Sequence, residues 1–253
     1  STHSPTLFPY TTLFRSRVTK DESLDLPEQT FLQRYITMSA KEKNIYDRIK
    51  RESFAELESG GQISATTVLT KLLRLQQFTG GFLVADDEEK PELVSKGKLN
   101  ALEEIVDDYV VDAGKKLVIF ARFRPEIDII GQMLKKKKLR YGEIYGDVKL
   151  EDRGYIVKDF QTNPETMVFL AQIDTAGLGI TLTAADTCVY YSVNFNYAAY
   201  SQSLARIHRI GQKNACTYIH LITEGTIDEV VLKALAKKED LAKTVVDTWR
   251  DYF

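Results

Sequence analysis

The sequence predicts an α/β domain with a doubly wound parallel sheet. This prediction rests on two observations. First, short apolar runs rich in β-branched residues, such as KLVIFARF at 116–123, are typical of strands buried on both faces of a sheet. Second, these runs alternate with amphipathic stretches of helical period from about residue 97 onward. Alternating strands and helices imply right-handed crossovers and a sheet covered on both faces. Ligand sites in such a fold lie at the carboxyl ends of the strands.

The elements of this domain follow in order from residue 98. A helix at 98–113 precedes the strand at 116–123, and Pro125 opens a second helix that ends in the basic run 135–140. We expect that run to be solvated, because cations at a helix C-terminus favour the dipole and water. The later strands are predicted at 141–145, 167–171, 187–192 and 217–222, with a helix at 151–160 and a long helix from about Ile227 to the C-terminus.

The first part of the chain is organised differently. A strand is predicted at 31–37, and helices at 39–58 and 64–79 are expected to form a helical pair outside the main domain. An acidic stretch at 86–91 is predicted to be a surface loop. Residues 1–16 show no period and are predicted to be a non-native or disordered tail. The predicted units are thus the tail 1–16, a bridging segment 17–95, the α/β domain 96–237 and a C-terminal helical tail 238–253.

Composition limits the classes of function. The chain has 253 residues, 43% of them hydrophobic, with a net charge of -2 and a pI of about 6.0. Nucleic-acid binding would therefore need a local basic patch, since no global basic field exists. Cys188 and Cys216 lie in apolar runs without metal or disulfide spacing and are expected to be reduced core residues. No apolar run is long enough to span a membrane, so we expect a cytoplasmic protein without a membrane partner.

The stretch SQSLARIHRIGQ at 201–212 contains the residues that suggest a ligand-binding site. It places Gln202, Arg206, Arg209 and Gln212 at spacings of four, three and three, which would stack them near one face of a helix. Two guanidinium groups beside one another match phosphate oxygens bidentately. This face predicts a polyphosphate site, with a solvated basic helix as the alternative.

Three loops follow predicted strands at the edge where ligands bind. The first contains Arg122 and Arg124, the second is YGDVKLEDR at 145–153, and the third is QIDTAGLGITLTAAD at 172–186. Gly177 and Gly179 in the third loop would let the backbone approach a ligand and offer N–H groups to an anion. Taken alone, this Gly-x-Gly pattern is also typical of a tight turn.

The sequence has neither a G-x-x-x-x-G-K-[ST] phosphate loop nor an acidic pair after an apolar strand. A nucleotide-hydrolysing site built from this chain alone would lack its lysine and its magnesium ligand. We therefore predict no metal site within the chain.

Several of these stretches resemble one family. SLARIHRIGQ, with GLGITLTAAD upstream, is similar to motifs VI and V of superfamily 2 helicases of the Swi/Snf class, and KLVIFARF resembles motif IV. YGEIYGDVKLEDR, with Asp159, Phe160 and Gln161, resembles the segment between motifs IV and V. The runs at 24–50, 68–83 and 95–106 resemble the bridge between the two lobes in bacterial and phage members. The resemblance covers most of residues 17–237.

The resemblance implies the C-terminal RecA-like lobe of an ATP-dependent DNA translocase, without lobe 1. ATP and Mg²⁺ would be held mainly by lobe 1 of the same polypeptide, and this lobe alone would be inactive. Arg206 and Arg209 would be the catalytic arginine fingers. The implied partner is the phosphate backbone of DNA, or RNA, in a bacterial cell or phage-infected host. The other implied site residues are Gln202, Gly177, Gly179 and Asp174 for nucleotide, and Arg122, Gly146, Thr175 and Thr181 for nucleic acid.

The sequence departs from the family pattern at three places. Ala176 stands for the first glycine of motif V, Phe195-Asn196-Tyr197 for a common Trp-Asn-Pro, and Ala121-Arg122 for the Ser and Gln of motif IV. Two other classes of function stay open, a non-catalytic nucleic-acid-binding module and a protein–protein adaptor. For His208, a structural hydrogen bond and a coupling role are both open.

Overall fold

A parallel six-stranded sheet forms the centre of the protein. The computed structural model describes residues 26–59, 64–84, 91–239 and 250. All strand pairs of this sheet are parallel, in the order β1-β8-β7-β4-β6-β5, so the predicted doubly wound α/β class is confirmed. The strands are β1 (Gln29–Ile36), β4 (Leu117–Ala121), β5 (Arg140–Ile144), β6 (Thr166–Gln172), β7 (Thr187–Tyr190) and β8 (Cys216–Thr223).

Helices cover both faces of the sheet. Alternate residues of the central strand β4 enter different clusters, Val118 and Phe120 on one face and Leu117 and Ile119 on the other. This two-faced burial explains the continuous apolar run in the sequence. The helices are α1 (Ala40–Ser59), α2 (Ala65–Thr79), α3 (Gly97–Val106), α4 (Arg124–Lys136), α5 (Leu150–Thr162), α6 (Tyr197–Leu204) and α7 (Ile227–Ala236).

Shorter elements complete the described structure. A π-helix, Asp107–Asp112, continues α3, and a 3-10 helix, Ile173–Leu178, follows β6. Two short strands, β2 (Phe82–Leu83) and β3 (Glu92–Leu93), form an antiparallel pair that was not predicted. None of the helices in the described ranges combines the length and the apolarity that crossing a bilayer requires.

The N-terminal elements are integrated with the sheet. Strand β1 pairs along its whole length with β8, from Gln29 opposite Cys216 to Ile36 opposite Thr223. Buried residues of α1 and α2, such as Tyr46 and Leu72, belong to the same hydrophobic cluster as the sheet. The expectation of a helical pair outside the main domain was therefore wrong, because the apolar stripes of these helices are buried against the sheet side of the fold. The proposed boundary at residue 95 stays a prediction.

Two predicted helices end earlier than expected. The helix predicted across 201–212 ends at Leu204, and the following residues form turns. Two carbonyls from this point on accept from other parts of the chain: Tyr218 donates to Leu204 O, which accepts from His208 N only at 3.4 Å, and Leu182 N donates to Arg206 O. The helix from Ile227 ends at Ala236, and Lys238 has a φ of 60. Residues 1–16, the loop residues 86–90 and the tail residues 240–249 lie outside the described residues.

Candidate nucleotide and nucleic-acid site

The residues after α6 pack on the loop that returns from β6 to β7. We call residues 206–212 the arginine segment and residues 179–185 the glycine loop. Leu182 N donates to Arg206 O at 2.9 Å, and the Ile207 side chain is fully buried. The Gln212 amide donates to three carbonyls, those of Ala185 at 2.8 Å, Ile207 at 3.2 Å and Thr183 at 3.4 Å. The two segments therefore form one unit, although they are far apart in the sequence.

Two arginines of this unit point at the glycine loop. Arg206 is 8% exposed and donates from Nη1 to Ile180 O at 3.5 Å, while Arg209 donates from Nη1 to Gly179 O at 3.2 Å. The Arg206 Nε is buried, and no group in the described ranges accepts a hydrogen bond from it. Burial, and then the charge of Arg209, lower the pKa of Arg206. Within the described residues neither arginine forms an ion pair with a carboxylate.

This pair of arginines is suited to an anion. A buried donor without an acceptor costs free energy, and two neighbouring cations repel each other at short range. An oxygen anion placed between the guanidinium groups would relieve both effects, because charge-assisted hydrogen bonds to guanidinium are strong. The chemical capacity of the site is therefore anion binding at the arginine segment.

The other predicted nucleotide residues are arranged less uniformly. Gly179 is exposed with a φ of 71, which glycine adopts without strain, and its carbonyl faces Arg209. Gly177 lies just before it in the 3-10 helix. Gln202 is exposed on α6, and Asp174 is exposed and accepts a hydrogen bond from Asn194 at 2.6 Å. Hence the structure brings Gly179 to the arginines, whereas Gln202 and Asp174 have no described contact with either guanidinium group.

The loop after β4 contains two arginines that are already engaged. We call residues 122–126 the β4 loop. Arg122 donates from Nη1 to Gln76 Oε1 at 2.6 Å, and its guanidinium lies 4.3 Å from the centre of the Phe195 ring. Burial lowers the pKa of Arg122 to about 10. Arg124 stacks 3.3 Å from the centre of the Tyr145 ring and pairs with Asp128 at 3.0 Å.

Gln172, which the sequence analysis missed, joins the loops at the carboxyl edge of the sheet. Its side chain donates to Arg122 O at 3.0 Å and accepts from Gly146 N at 3.3 Å. Its own carbonyl accepts from the Thr175 hydroxyl at 2.6 Å. Three of the four predicted nucleic-acid residues therefore meet around Gln172. The fourth, Thr181, is half-buried in the glycine loop between Ile180 and Leu182, which both bond to Arg206.

A second missed residue, Glu126, holds the β4 loop in place. Its Oε2 accepts from the backbone N of Arg122 and of Phe123, both at 3.0 Å, and from Ser192 Oγ at 2.5 Å. The carboxyl is fully buried, and burial raises its pKa to about 7. Pro125 followed by a glutamate at the third helical position was the signal in the sequence, because a glutamate there often caps the helix start.

A third missed group is a buried ion pair at the base of the helices. Lys98 Nζ lies 2.7 Å from Asp228 Oδ2, and both side chains are almost fully buried. Asp228 also accepts from the Thr79 hydroxyl at 2.9 Å and from Thr223 N at 3.0 Å. The pair joins α2, α3, α7 and β8, and no sequence pattern indicated it.

In the described part of the chain, no group of three or more His, Cys, Asp or Glu side chains could hold a metal ion. Cys188 and Cys216 are both free and buried. Burial raises the pKa of each thiol, the latter to about 11, so both are held as thiols rather than as the nucleophilic thiolate.

Comparisons with known proteins show which proteins the chain is similar to. Residues 97–211 match the helicase conserved C-terminal domain. The chromatin-remodeling ATPase INO80 of Neurospora crassa is 36% identical over 154 residues, which is 61% of this chain and 8% of that protein. An uncharacterized ATP-dependent helicase of Mycoplasma genitalium, MG018, is 28% identical over 238 residues, which is 94% of this chain and 23% of that protein. The chain thus spans less than a quarter of the length of either relative.

Solved structures of ATPase domains are similar to this chain as well. The Sulfolobus solfataricus SWI2/SNF2 ATPase core in complex with dsDNA superposes with a TM-score of 0.70 at 26% identity, over 92% of this chain and 49% of that chain. The C-terminal part of the Fun30 ATPase domain has a TM-score of 0.69 at 18% identity, over 88% of this chain and 99% of that chain. This second likeness concerns the fold alone.

Residues 97–211 therefore match a helicase conserved C-terminal domain, and the parallel sheet that contains them has the RecA-like architecture. Over most of its length, the chain is similar to the C-terminal part of a SWI2/SNF2 ATPase core. The expectation of a bacterial or phage member is not supported, because the matched relatives include fungal proteins.

Proposed function

We propose that this chain is the C-terminal lobe of an ATP-dependent DNA translocase, in which Arg206 and Arg209 act as arginine fingers. The ATP phosphates and Mg²⁺ would be held mainly by an upstream lobe of the same polypeptide. The relatives named above are an ATPase and an ATP-dependent helicase, which supports the class of reaction. This chain covers only a small part of each relative, so the activity of a whole protein is our proposal.

The observation that carries the proposal is the pair of arginines facing the glycine loop without a described carboxylate partner. The buried Nε of Arg206 needs an acceptor, and a phosphate oxygen fits that need. The Arg209 guanidinium forms one hydrogen bond within the described residues, to a carbonyl, and it can exchange that bond for a transferring phosphoryl group. An arginine finger of this kind raises turnover by about 10³–10⁵, because it neutralises charge that develops in the transition state.

Within this arrangement the residues of the chain have different tasks. Arg206, being nearly buried, would bind and orient a phosphate, whereas Arg209, which is less buried, would stabilise the transition state. The bound nucleotide and Mg²⁺ would supply the phosphoryl group and the charge-neutralising metal. Gln212 holds the carbonyls of the glycine loop and so fixes the distance between the two segments.

We propose DNA as the polymer because the Sulfolobus core named above was solved in complex with dsDNA. The half-buried Thr181 and the exposed Gly146 would lie nearest to the phosphates. The N–H of Gly146 donates to Gln172 and its carbonyl accepts from Arg153, so a phosphate would have to replace the bond to Gln172. Arg122 and Thr175 also form hydrogen bonds inside the protein, and we assign them to shaping the loops. Binding through a few phosphates would be weak, independent of sequence and steeply reduced by salt.

The proposal is tested by a DNA-stimulated phosphate-release assay on this chain, on the protein joined to its upstream lobe, and on the Arg209→Lys variant of the joined protein. We expect no turnover by the chain, turnover by the joined protein, and a loss of about 10³-fold or more in the variant, since lysine lacks the planar fork. Nucleotide affinity should change much less, because the lost interaction belongs mainly to the transition state.

Arg48→Lys is the matched control, since Arg48 is an exposed arginine of α1 paired with Glu52. It should leave turnover unchanged. Turnover by the isolated chain, or wild-type rates from Arg209→Lys, would contradict the proposal.

A further inference from the structure

The residues at the start of the described chain form hydrogen bonds with the arginine segment and with the strand that follows it. We call residues 26–31 the lead-in segment, which runs into strand β1. Pro27 O lies 2.8 Å from His208 Nε2, although the two residues are 181 positions apart. Glu28 O accepts from Cys216 N at 2.8 Å, four residues after the arginine segment. The lead-in segment is therefore bonded both to this segment and to the strand that follows it.

The contact between His208 and Pro27 determines which ring nitrogen of His208 carries a proton. A backbone carbonyl can only accept a hydrogen bond, so Nε2 must carry the proton that bonds to Pro27 O. His208 is the neighbour of Arg209, whose backbone carbonyl accepts from Gln212 N at 2.9 Å. Hence the backbone that carries the Arg209 side chain is held on one side by Gln212 and on the other through His208.

A tyrosine provides a second connection between the same parts. Gln29 donates to the Tyr218 hydroxyl at 3.2 Å, and that hydroxyl donates to Leu204 O at 2.7 Å, two residues before Arg206. The Phe31 ring stacks on the Tyr218 ring, with centres 5.1 Å apart and planes 17° apart. The lead-in segment thus contacts both ends of the turn that presents the two arginines.

We propose that His208 is a positioning residue, which transmits the position of the lead-in segment to Arg209 through its bond to Pro27. This inference rests on the proposed function, because the lead-in segment would join this lobe to the upstream lobe. Among the residues that the structure describes, one hydrogen bond at 3.2 Å holds the Arg209 guanidinium, so its direction depends on the backbone that carries it. A displacement of the lead-in segment, as the lobes close on nucleotide, would therefore move the arginine.

The simpler interpretation is a histidine that only satisfies a local hydrogen bond. The two interpretations differ in what the loss of the bond does at a distance. A local role predicts looser backbone around residue 208 alone. A positioning role predicts that the lead-in segment and the arginine segment loosen together, and that the chemical step slows while nucleotide binding does not.

The first experiment uses this chain itself and measures amide hydrogen exchange by NMR. In His208→Leu, which removes the donor, exchange of the Gln212 amide and of the Cys216 amide should both rise about tenfold, the effect of one lost hydrogen bond. His208→Gln keeps an N–H donor and should stay within about twofold of the wild type. Acceleration at Gln212 with an unchanged Cys216 amide would overturn the proposal.

Asn214→Leu serves as the control. It removes another side-chain hydrogen bond beside the arginine segment, that of Asn214 to Asp186 at 3.3 Å, but it leaves Pro27 and His208 paired. Its exchange at Gln212 and Cys216 should match that of the wild type. Coupled loosening in this variant as well would mean that any lost bond in this region has the same effect, which overturns the role of His208.

The second experiment measures steady-state ATP turnover of the joined two-lobe protein. His208→Leu should lower kcat about tenfold with a change in KM for ATP of less than about twofold, and His208→Gln should restore most of kcat. Wild-type kcat in His208→Leu would overturn the positioning role. If the unmodified joined protein had no turnover, the proposed function would fail, and the exchange experiment would still decide whether the segments are coupled.

Discussion

The β4 loop and the arginine segment each carry two arginines, but they use them in opposite ways. In the β4 loop, Arg122 bonds to Gln76 and lies on Phe195, and Arg124 pairs with Asp128. In the arginine segment, the side chains of Arg206 and Arg209 have backbone carbonyls of the glycine loop as their hydrogen-bond acceptors among the described residues. The guanidinium groups of the β4 loop thus contact side chains of the protein, although Arg124 Nη1, like Arg206 Nε, is buried without a described hydrogen-bond partner. Those of the arginine segment have backbone carbonyls as their described partners, which leaves them easier to reach for a ligand.

This difference shows why an arginine in a motif is weak information by itself. A guanidinium group contributes to stability where a carboxylate, an amide or a ring contacts it, and it is available to substrate where those partners are missing. The sequence suggests both loops as phosphate contacts, yet the contacts favour only the arginine segment. The two loops should therefore respond differently to the same substitution.

The largest expected effect is a contrast between Arg122→Ala and Arg209→Ala in this chain. Arg122→Ala should lower the free energy of unfolding by about 2–4 kcal/mol, since it removes a charged hydrogen bond and a ring contact. Arg209→Ala should lower it by less than about 1 kcal/mol, because its single bond is to a carbonyl on a loop. Urea unfolding measures both values. Equal losses would show that the two loops do not differ in the way proposed.

A smaller effect is expected from the two glutamines of the motif. Gln212 donates to three carbonyls, so Gln212→Ala should cost about 1–3 kcal/mol by leaving buried carbonyls without partners. Gln202→Ala should change stability by less than about 0.5 kcal/mol, since its side chain is exposed. Thermal unfolding of both variants, at the same pH and salt, is the measurement. A costly Gln202→Ala would mean that this side chain has a role in the fold.

The fold could be predicted because a strand that is buried on both faces has a continuous apolar run in the sequence. The Leu117–Ala121 run is apolar throughout, and its strand is central in the sheet. The position of β1 beside β8 could not be predicted, because pairing between residues 29 and 216 depends on tertiary contacts and leaves no local pattern. The same limit explains why α1 and α2 were predicted to lie outside the domain.

The site could be predicted only in part for a related reason. The spacing of Arg206 and Arg209 indicated a shared site, and both do face the glycine loop. Their placement on a helix was wrong, since the helix ends at Leu204 and the carbonyl of Arg206 accepts from Leu182 N of the glycine loop. Gln172 was missed because its side-chain partners are backbone groups of distant loops. Glu126 was missed although its backbone partners, Arg122 and Phe123, are local; only its bond to the Ser192 hydroxyl depends on a distant part of the chain.

The smallest expected effect concerns Glu126, the buried side chain that holds the β4 loop. It tests whether this loop differs from the arginine segment through contacts inside the protein. Its folded-state pKa is raised to about 7 from an ordinary value of 4.5. Between these two values the folded protein binds more protons than the unfolded chain, so the contribution of this group to stability falls as the pH rises. The contribution is complete below about pH 4.5, and it is lost as the pH rises to and through about 7.

Glu126→Gln removes this titration while keeping an oxygen that can accept from the two backbone amides. The free energy of unfolding of the wild-type chain should contain a downward slope between about pH 5 and 7, at most about 1.4 kcal/mol per pH unit, which the variant lacks. The difference between the two curves is the measurement, since other groups titrate in both proteins. Glu165→Gln, at an exposed glutamate, is the control and should keep the wild-type slope. Parallel curves for the wild type and Glu126→Gln would show that the carboxyl is not held in its protonated form by burial, and the β4 loop would then need another explanation for its order.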